Sequence, residues 1–342
     1  MRKRMRLVCV LAVLALSSVL GGVADAGTYK PEYKASIVVG PAGPWGEAAI
    51  RFAGLLKERT KGRINVKNYH AGQLFAGKQT NEFTLLVQGV GDFAFGSTIN
   101  WSPQIKELNL FAMPFMVPSY KALDAVQAGQ PGKKLFQLIE AKRVVPLAWG
   151  ENGFRQLTNS KHRVSKPADL EGLKIRVVGS PIFIDTFRAL GANPVNMNWG
   201  EAQTAFQQGT VDGQENPVVT VIVPSKLWTT QKYVTLWNYA IDPLVLGVSK
   251  LSWDAFSAED KSIVKKTAEE IMAWQKKGAR AGIDTSSEAL DTLKQNGMEV
   301  FALSAKDMGA FRAKTKPVYD KWAREIGADL VRAAEKIAAA TK

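Results

Sequence analysis

Four short stretches of this chain carry arginine or amide groups, two of them beside tryptophan or phenylalanine. They are Trp149-Gly150-Glu151-Asn152-Gly153-Phe154-Arg155, Gly172-Leu173-Lys174-Ile175-Arg176-Val177, Asn198-Trp199-Gly200-Glu201 and Val211-Asp212-Gly213-Gln214-Glu215-Asn216-Pro217. These are the residue types of an organic-acid pocket. A guanidinium fork pairs with a carboxylate, amides orient the ligand and aromatic faces cover its body. Arg176 falls inside an apolar strand pattern, where a charge is costly unless paired. Its surroundings leave two roles open, a structural ion pair or a ligand anchor. Trp199 and Asn216 also have ordinary explanations, as a core residue and a turn residue.

Catalytic chemistry is sparse by comparison. The two histidines, His70 and His162, lie far apart, and neither has a His, Cys or carboxylate partner at metal-ligand spacing. No metal and no cofactor is expected. Gly-x-Ser-x-Gly, the Walker phosphate loop and the dinucleotide fingerprint are absent, and serine hydrolysis would lack a base. A pair of carboxylates doing acid/base work stays open, because sequence cannot pair them in space. A periplasmic enzyme acting on an organic acid is therefore one of the readings carried forward, behind binding.

Residues 1–26 read as an export signal. Arg2, Lys3, Arg4 and Arg6 precede an apolar run from Leu7 to Leu20, and Ala24-Asp25-Ala26 places the cut before Gly27. The expected location is the periplasm. Cys9, the only cysteine, lies within that signal, so the mature chain is expected to have no disulfide and no thiolate site. About 316 residues remain, length for two ordinary domains. Losing four basic residues and Asp25 takes the net charge from +14 to +11. The basic residues are spread rather than blocked, so nucleic acid is not an expected partner, whereas the field favours anionic ligands.

The elements that must position the four stretches alternate as in an α/β protein. Strands are expected at 35–39, 63–67, 92–95, 173–178 and near 193–198, with helices at 45–59, 83–87 and 181–190. Ser257 to Asn296 runs without proline and opens on an N-cap pattern, Ser257-Ala258-Glu259-Asp260. One helix of that length would reach about 60 Å. It is either two helices hinged near Gly278–Gly282 or one helix bridging two lobes. Further helices are expected at Ala305–Lys314 and Val318–Ala340.

Several motifs in a fixed order now matter together. Lys57-Glu58-Arg59-Thr60-Lys61-Gly62-Arg63-Ile64 is followed by Gly72-Gln73-Leu74 and Gln88-Gly89-Val90-Gly91-Asp92. Leu110-Phe111-Ala112-Met113-Pro114-Phe115, Asp169-Leu170-Glu171-Gly172-Leu173-Lys174-Ile175-Arg176 and Gly209 to Pro217 complete the series. Through them the chain resembles the DctP-type substrate-binding proteins of TRAP transporters (tripartite ATP-independent periplasmic transporters). The resemblance covers nearly all of the mature sequence. It implies a two-lobed periplasmic binding protein fold, type II-like, with an interlobe cleft and a long helix spanning both lobes. It also implies capture of a small organic acid by lobe closure and delivery to the small and large membrane subunits. Arg176 is implied as the bidentate carboxylate anchor, Arg155 as a second cationic contact, Asn216 as an amide contact and Trp199 as an aromatic wall.

On this reading residues 27–152 form the first lobe, with 241–280 returning to it. Residues 153–240 form the second, with 281–342 packing on it. Trp45, Gln73, Lys78, Ser97, Asn100 and Trp101 fall in loops after expected strands, where an interlobe pocket is built. The neutral run Ser97-Thr98-Ile99-Asn100-Trp101 differs from the charged loop implied for sialic-acid-binding members. A monocarboxylate, hydroxy acid, keto acid or sugar acid leads; a sulfonate or dicarboxylate is the alternative.

Overall fold

The computed structural model describes residues 29–341. The export signal expected at 1–26 lies outside the described residues. Ten strands form the sheet system. In chain order they are β1 (Tyr33–Ser36), β2 (Val66–Tyr69), β3 (Phe93–Ser97), β4 (Val144–Asn159) and β5 (Lys174–Val177). They continue with β6 (Asn193–Asn196), β7 (Gly213–Pro217), β8 (Tyr233–Leu236), β9 (Ile241–Ser249) and β10 (Glu299–Ala302).

Strand β4 spans 16 residues and serves two half-sheets. Its first part pairs antiparallel with β9, which continues through β3 and β1 to β2. Its last part pairs antiparallel with β7, which continues through β5 to β6. β8 also pairs with this end of β4 and carries β10 in parallel. The pairing of β4 with β9 slips between Glu151 and Gly153, where Gly153 takes φ +122°. A bulge there bends and twists the strand at the passage between half-sheets. The expected lobe boundary at 152 thus falls inside one continuous strand.

Alternation along the strands sorts residues between two cores. On β3, Phe93 and Phe95 face one cluster with helix Gly43–Arg59, while Ala94 faces the other. On β5, Ile175 and Val177 enter the core and Arg176 points to the opposite side.

Most expected elements are found within a few residues of their places. The Ser257 pattern resolves into two helices. Ser257 Oγ accepts the Asp260 N–H at 3.1 Å and caps helix Ala258–Arg280, which is followed by Glu288–Gln295. The break comes at Gly282, φ +83°, a conformation that costs glycine little. At about 35 Å, the first helix lies along β4 and helix Gly43–Arg59 and reaches the turn Val218–Ile222 beyond β7. It therefore touches the strand that the half-sheets share and the turn that leaves β7.

The C-terminal helices divide differently from the expectation. One helix runs Ala305–Ile326 straight through Pro317, and the break falls at Gly327, φ +117°, before Ala328–Ala340. Phe311, Thr315, Val318, Trp322 and Ile326 make an unbroken buried stripe across the proline. That packing outweighs the loss of one backbone hydrogen bond. This helix packs on Pro181–Ala189, and the terminal helix on Tyr120–Ala128 and Gln130–Ala141.

Candidate functional site

The sheet order β9-β4-β7-β5 places four buried charges on neighbouring strands, alternating in sign: Asp242, Arg155, Glu215 and Arg176. Three of them satisfy one another. Arg155 grips the Glu215 carboxylate with Nε and Nη2, and Nη2 also reaches the Asn216 side-chain oxygen at 3.0 Å. Its Nη1 donates to Asp242 at 3.2 Å, and the Tyr239 hydroxyl donates to Glu215 at 2.7 Å. Burial alone would lower the Arg155 pKa, but Glu215 and Asp242 together hold it above the usual range. Burial raises the Asp242 carboxyl, opposed by Arg155, Asn152 and Ser97.

Arg176 ends the row without an internal counter-ion. Its side chain is 1% exposed, and Nε–H donates to the Met197 carbonyl at 2.9 Å. Nη2 is buried with no hydrogen-bond partner, and no described carboxylate is within ion-pair distance. Burial brings its pKa down to about 10, with Arg155 adding repulsion and Glu215 opposing. The guanidinium carbon lies 5.4 Å from the centre of the Trp199 ring, close enough for a cation–π contact. A planar cation held by one carbonyl and one aromatic face is prepared for an anion that supplies what the protein withholds.

A cavity of about 30 Å³ opens at this point. Its walls come from both half-sheets and include Trp45, Ser97, Asn100, Arg155, Arg176, Trp199 and Asn216 among the residues singled out in the sequence. The Trp45 indole N–H is bound to the Phe95 carbonyl at 2.8 Å, which leaves its ring to the cavity. Arg155 reaches the cavity already committed to Glu215 and Asp242, and so holds the row together.

Three of the sequence candidates are not among the lining residues. Gln73 and Lys78 are exposed beside a tight turn in which Ala76 and Gly77 both take positive φ. Trp101 turns into the core: its indole N–H donates to buried Glu82 at 3.0 Å, and its ring packs edge-on to Phe83. A Cβ on Gly96 would stand 2.1 Å from that ring, so the glycine is what lets it lie there.

Three polar lining residues escaped the sequence reading: Gln79, Asn152 and Asp242. Gln79 is one position from the exposed Lys78. Its amide donates to Asn100 at 2.7 Å and accepts the Trp199 N–H at 2.8 Å, joining a loop of the first half-sheet to helix Trp199–Gln208. Asn152 stands in the first of the four stretches, three residues before Arg155. Asp242 lay outside all four; its place in the apolar run of β9 was the available signal.

Two half-sheets joined by long crossing strands, with an unpaired buried guanidinium between them, define a two-lobed binding protein for an anionic solute. Residues 35–325 match the bacterial extracellular solute-binding proteins of family 7 (DctP), and the chain belongs to that family, as a TRAP-type solute-binding protein. It is similar to a TRAP periplasmic solute-binding protein of Ralstonia eutropha, solved with bound (S)-2-acetolactate, at 50% identity and TM-score 0.89. That match covers 91% of this chain and 99% of the other. The sugar acid binding protein of Advenella mimigardefordensis, solved with galactonate, matches at 32% identity and TM-score 0.86 over 92% and 100% of the two chains. The 2,3-diketo-L-gulonate-binding periplasmic protein of Escherichia coli is 32% identical over 85% of this chain and 87% of its own length.

Proposed function

We propose that this protein captures a compact carboxylate, a short hydroxy or oxo acid or a small sugar acid, in the periplasm. Closure over the solute prepares it for delivery to the small and large membrane subunits of a TRAP transporter, with no chemical turnover. The observation that carries this reading is the buried Arg176 Nη2 without a partner. A carboxylate in the cavity would give it the counter-charge and hydrogen bond that the fold does not. The Ralstonia protein, half identical in sequence, is solved with a branched hydroxy-oxo acid of this kind.

The test is a thermal-shift screen of the refolded mature protein against short hydroxy and oxo acids, sugar acids, sulfonates and neutral polyols. A solute at 100 times its Kd adds about 2.7 kcal/mol. Stabilisation by a subset of carboxylates is the expected result. Stabilisation by sulfonates or neutral solutes alone would remove the carboxylate reading while leaving the family untouched.

A further inference from the structure

We propose that Asp242 sets the specificity of the cleft, accepting a hydrogen bond from a hydroxyl of the bound acid and turning away solutes with a second carboxylate. The inference rests on the carboxylate reading above and narrows it to hydroxy monocarboxylates.

The hydrogen bonds around Asp242 show what kind of group it is. Ser97 Oγ accepts the Ile99 N–H at 3.1 Å, which leaves its proton for Asp242 Oδ1 at 2.7 Å. The Asn152 oxygen accepts from the Thr220 hydroxyl at 2.5 Å, which orients its NH2 toward Asp242 Oδ2 at 2.7 Å. Arg155 Nη1 is the third donor, at 3.2 Å. Every neighbour donates, so Asp242 serves as an acceptor. A carboxylate offers about four acceptor sites, and three are used. The fourth, on the Ser97 side, is left for a donor in the cavity that Asp242 lines.

The same arrangement disfavours a second anionic group. Arg155 is shared between Glu215 and Asp242, so it has no charge to spare for another carboxylate. Arg176 is the one lining cation, among the described residues, without an internal counter-ion. Asp242 is buried, so in the shut cleft a second carboxylate beside it would meet its charge with water largely excluded, where like charges repel most strongly. A hydroxyl meets it as a donor.

Three four-carbon acids isolate these two effects: 2-hydroxybutyrate, malate (the same skeleton with a terminal carboxylate) and butyrate (the same without the hydroxyl). Isothermal titration of the wild-type mature protein should find 2-hydroxybutyrate bound at least 100-fold tighter than malate and at least tenfold tighter than butyrate. Asp242→Asn should shrink both ratios by tenfold or more. Malate bound as tightly as 2-hydroxybutyrate by the wild type would overturn the inference while sparing the carboxylate reading, and so would ratios unchanged in Asp242→Asn. Binding of none of the three would overturn this inference, while the carboxylate reading would still be decided by the screen of oxo and sugar acids. Should Asp242→Asn fail to fold, as judged by circular dichroism, the wild-type ratios decide alone.

Discussion

At the scale of single residues, two buried arginines show why charge in a core has to be read with its partners. Arg155 is held by Glu215 and Asp242; Arg176 has neither. Removing Arg155 strands two carboxylates, a change that costs about 3–5 kcal/mol in buried pairs. Arg155→Ala is therefore expected to lower the midpoint of urea unfolding sharply. Arg176→Ala strands no charge and frees only the Met197 carbonyl, so it should lower the midpoint far less; equal destabilisation by both would contradict the account. Arg176 was legible in the sequence because a charge inside an apolar strand advertises itself. The commitment of Arg155 was not, since its partners lie 60 and 87 residues away. Glu82 was hidden for the same reason, its partners Ser36 and Trp101 being brought together only by the fold. Burial pushes its pKa up to about 7 from an ordinary 4.5, against the hydrogen bonds from Ser36 and Trp101. The folded state thus holds this proton more tightly than the unfolded state. Its contribution is full below pH 4.5 and fades as pH rises to about 7, a span worth about 3 kcal/mol. Glu82→Gln should gain stability over wild type at pH 8 and lose that advantage near pH 4.5, read by chemical denaturation at both. A difference independent of pH would refute the assignment.

At the scale of elements, local signals served well wherever a cap or an alternation was decisive. Ser257 caps its helix, and β5 alternates core and cleft residues around Arg176. Pro317 misled because the stripe from Phe311 to Ile326 packs continuously, and packing outweighs propensity. The turn at Ala76–Gly77 misled by one position, sending Lys78 outward and Gln79 inward, since side-chain direction in a tight turn depends on φ values that composition does not fix. Gln79 consequently bridges elements whose connection carries no local signal. Gln79→Ala would leave the Trp199 N–H and the Asn100 oxygen without their shared partner in the closed cleft. A lost hydrogen bond of this kind is worth about 1 kcal/mol, so solute affinity should fall about fivefold to tenfold by titration, with the unfolding midpoint nearly unchanged. Unaltered affinity would mean that the bridge does not contribute to closure.

At the scale of the whole molecule, the two-lobed α/β plan and its family were legible because ordered motifs run along nearly the entire mature chain. How the lobes share their strands was less so. The continuity of β4 through the expected boundary follows from pairing partners on β7, β8 and β9, all distant in sequence. In the conformation described here the cleft is shut: Arg176 is 1% exposed and Gln79 holds Trp199 across it. A solute favours that state only by the interactions it makes there and not in the open one. The central claim is that its carboxylate does so at Arg176, and isothermal titration of wild type and Arg176→Ala with the best carboxylate from the screen tests it most directly. A bidentate charge-assisted pair should be worth at least 100-fold in affinity, about 2.7 kcal/mol, with the fold of the variant intact. Equal affinities in the two proteins would contradict the claim and move the anion site elsewhere in the cleft.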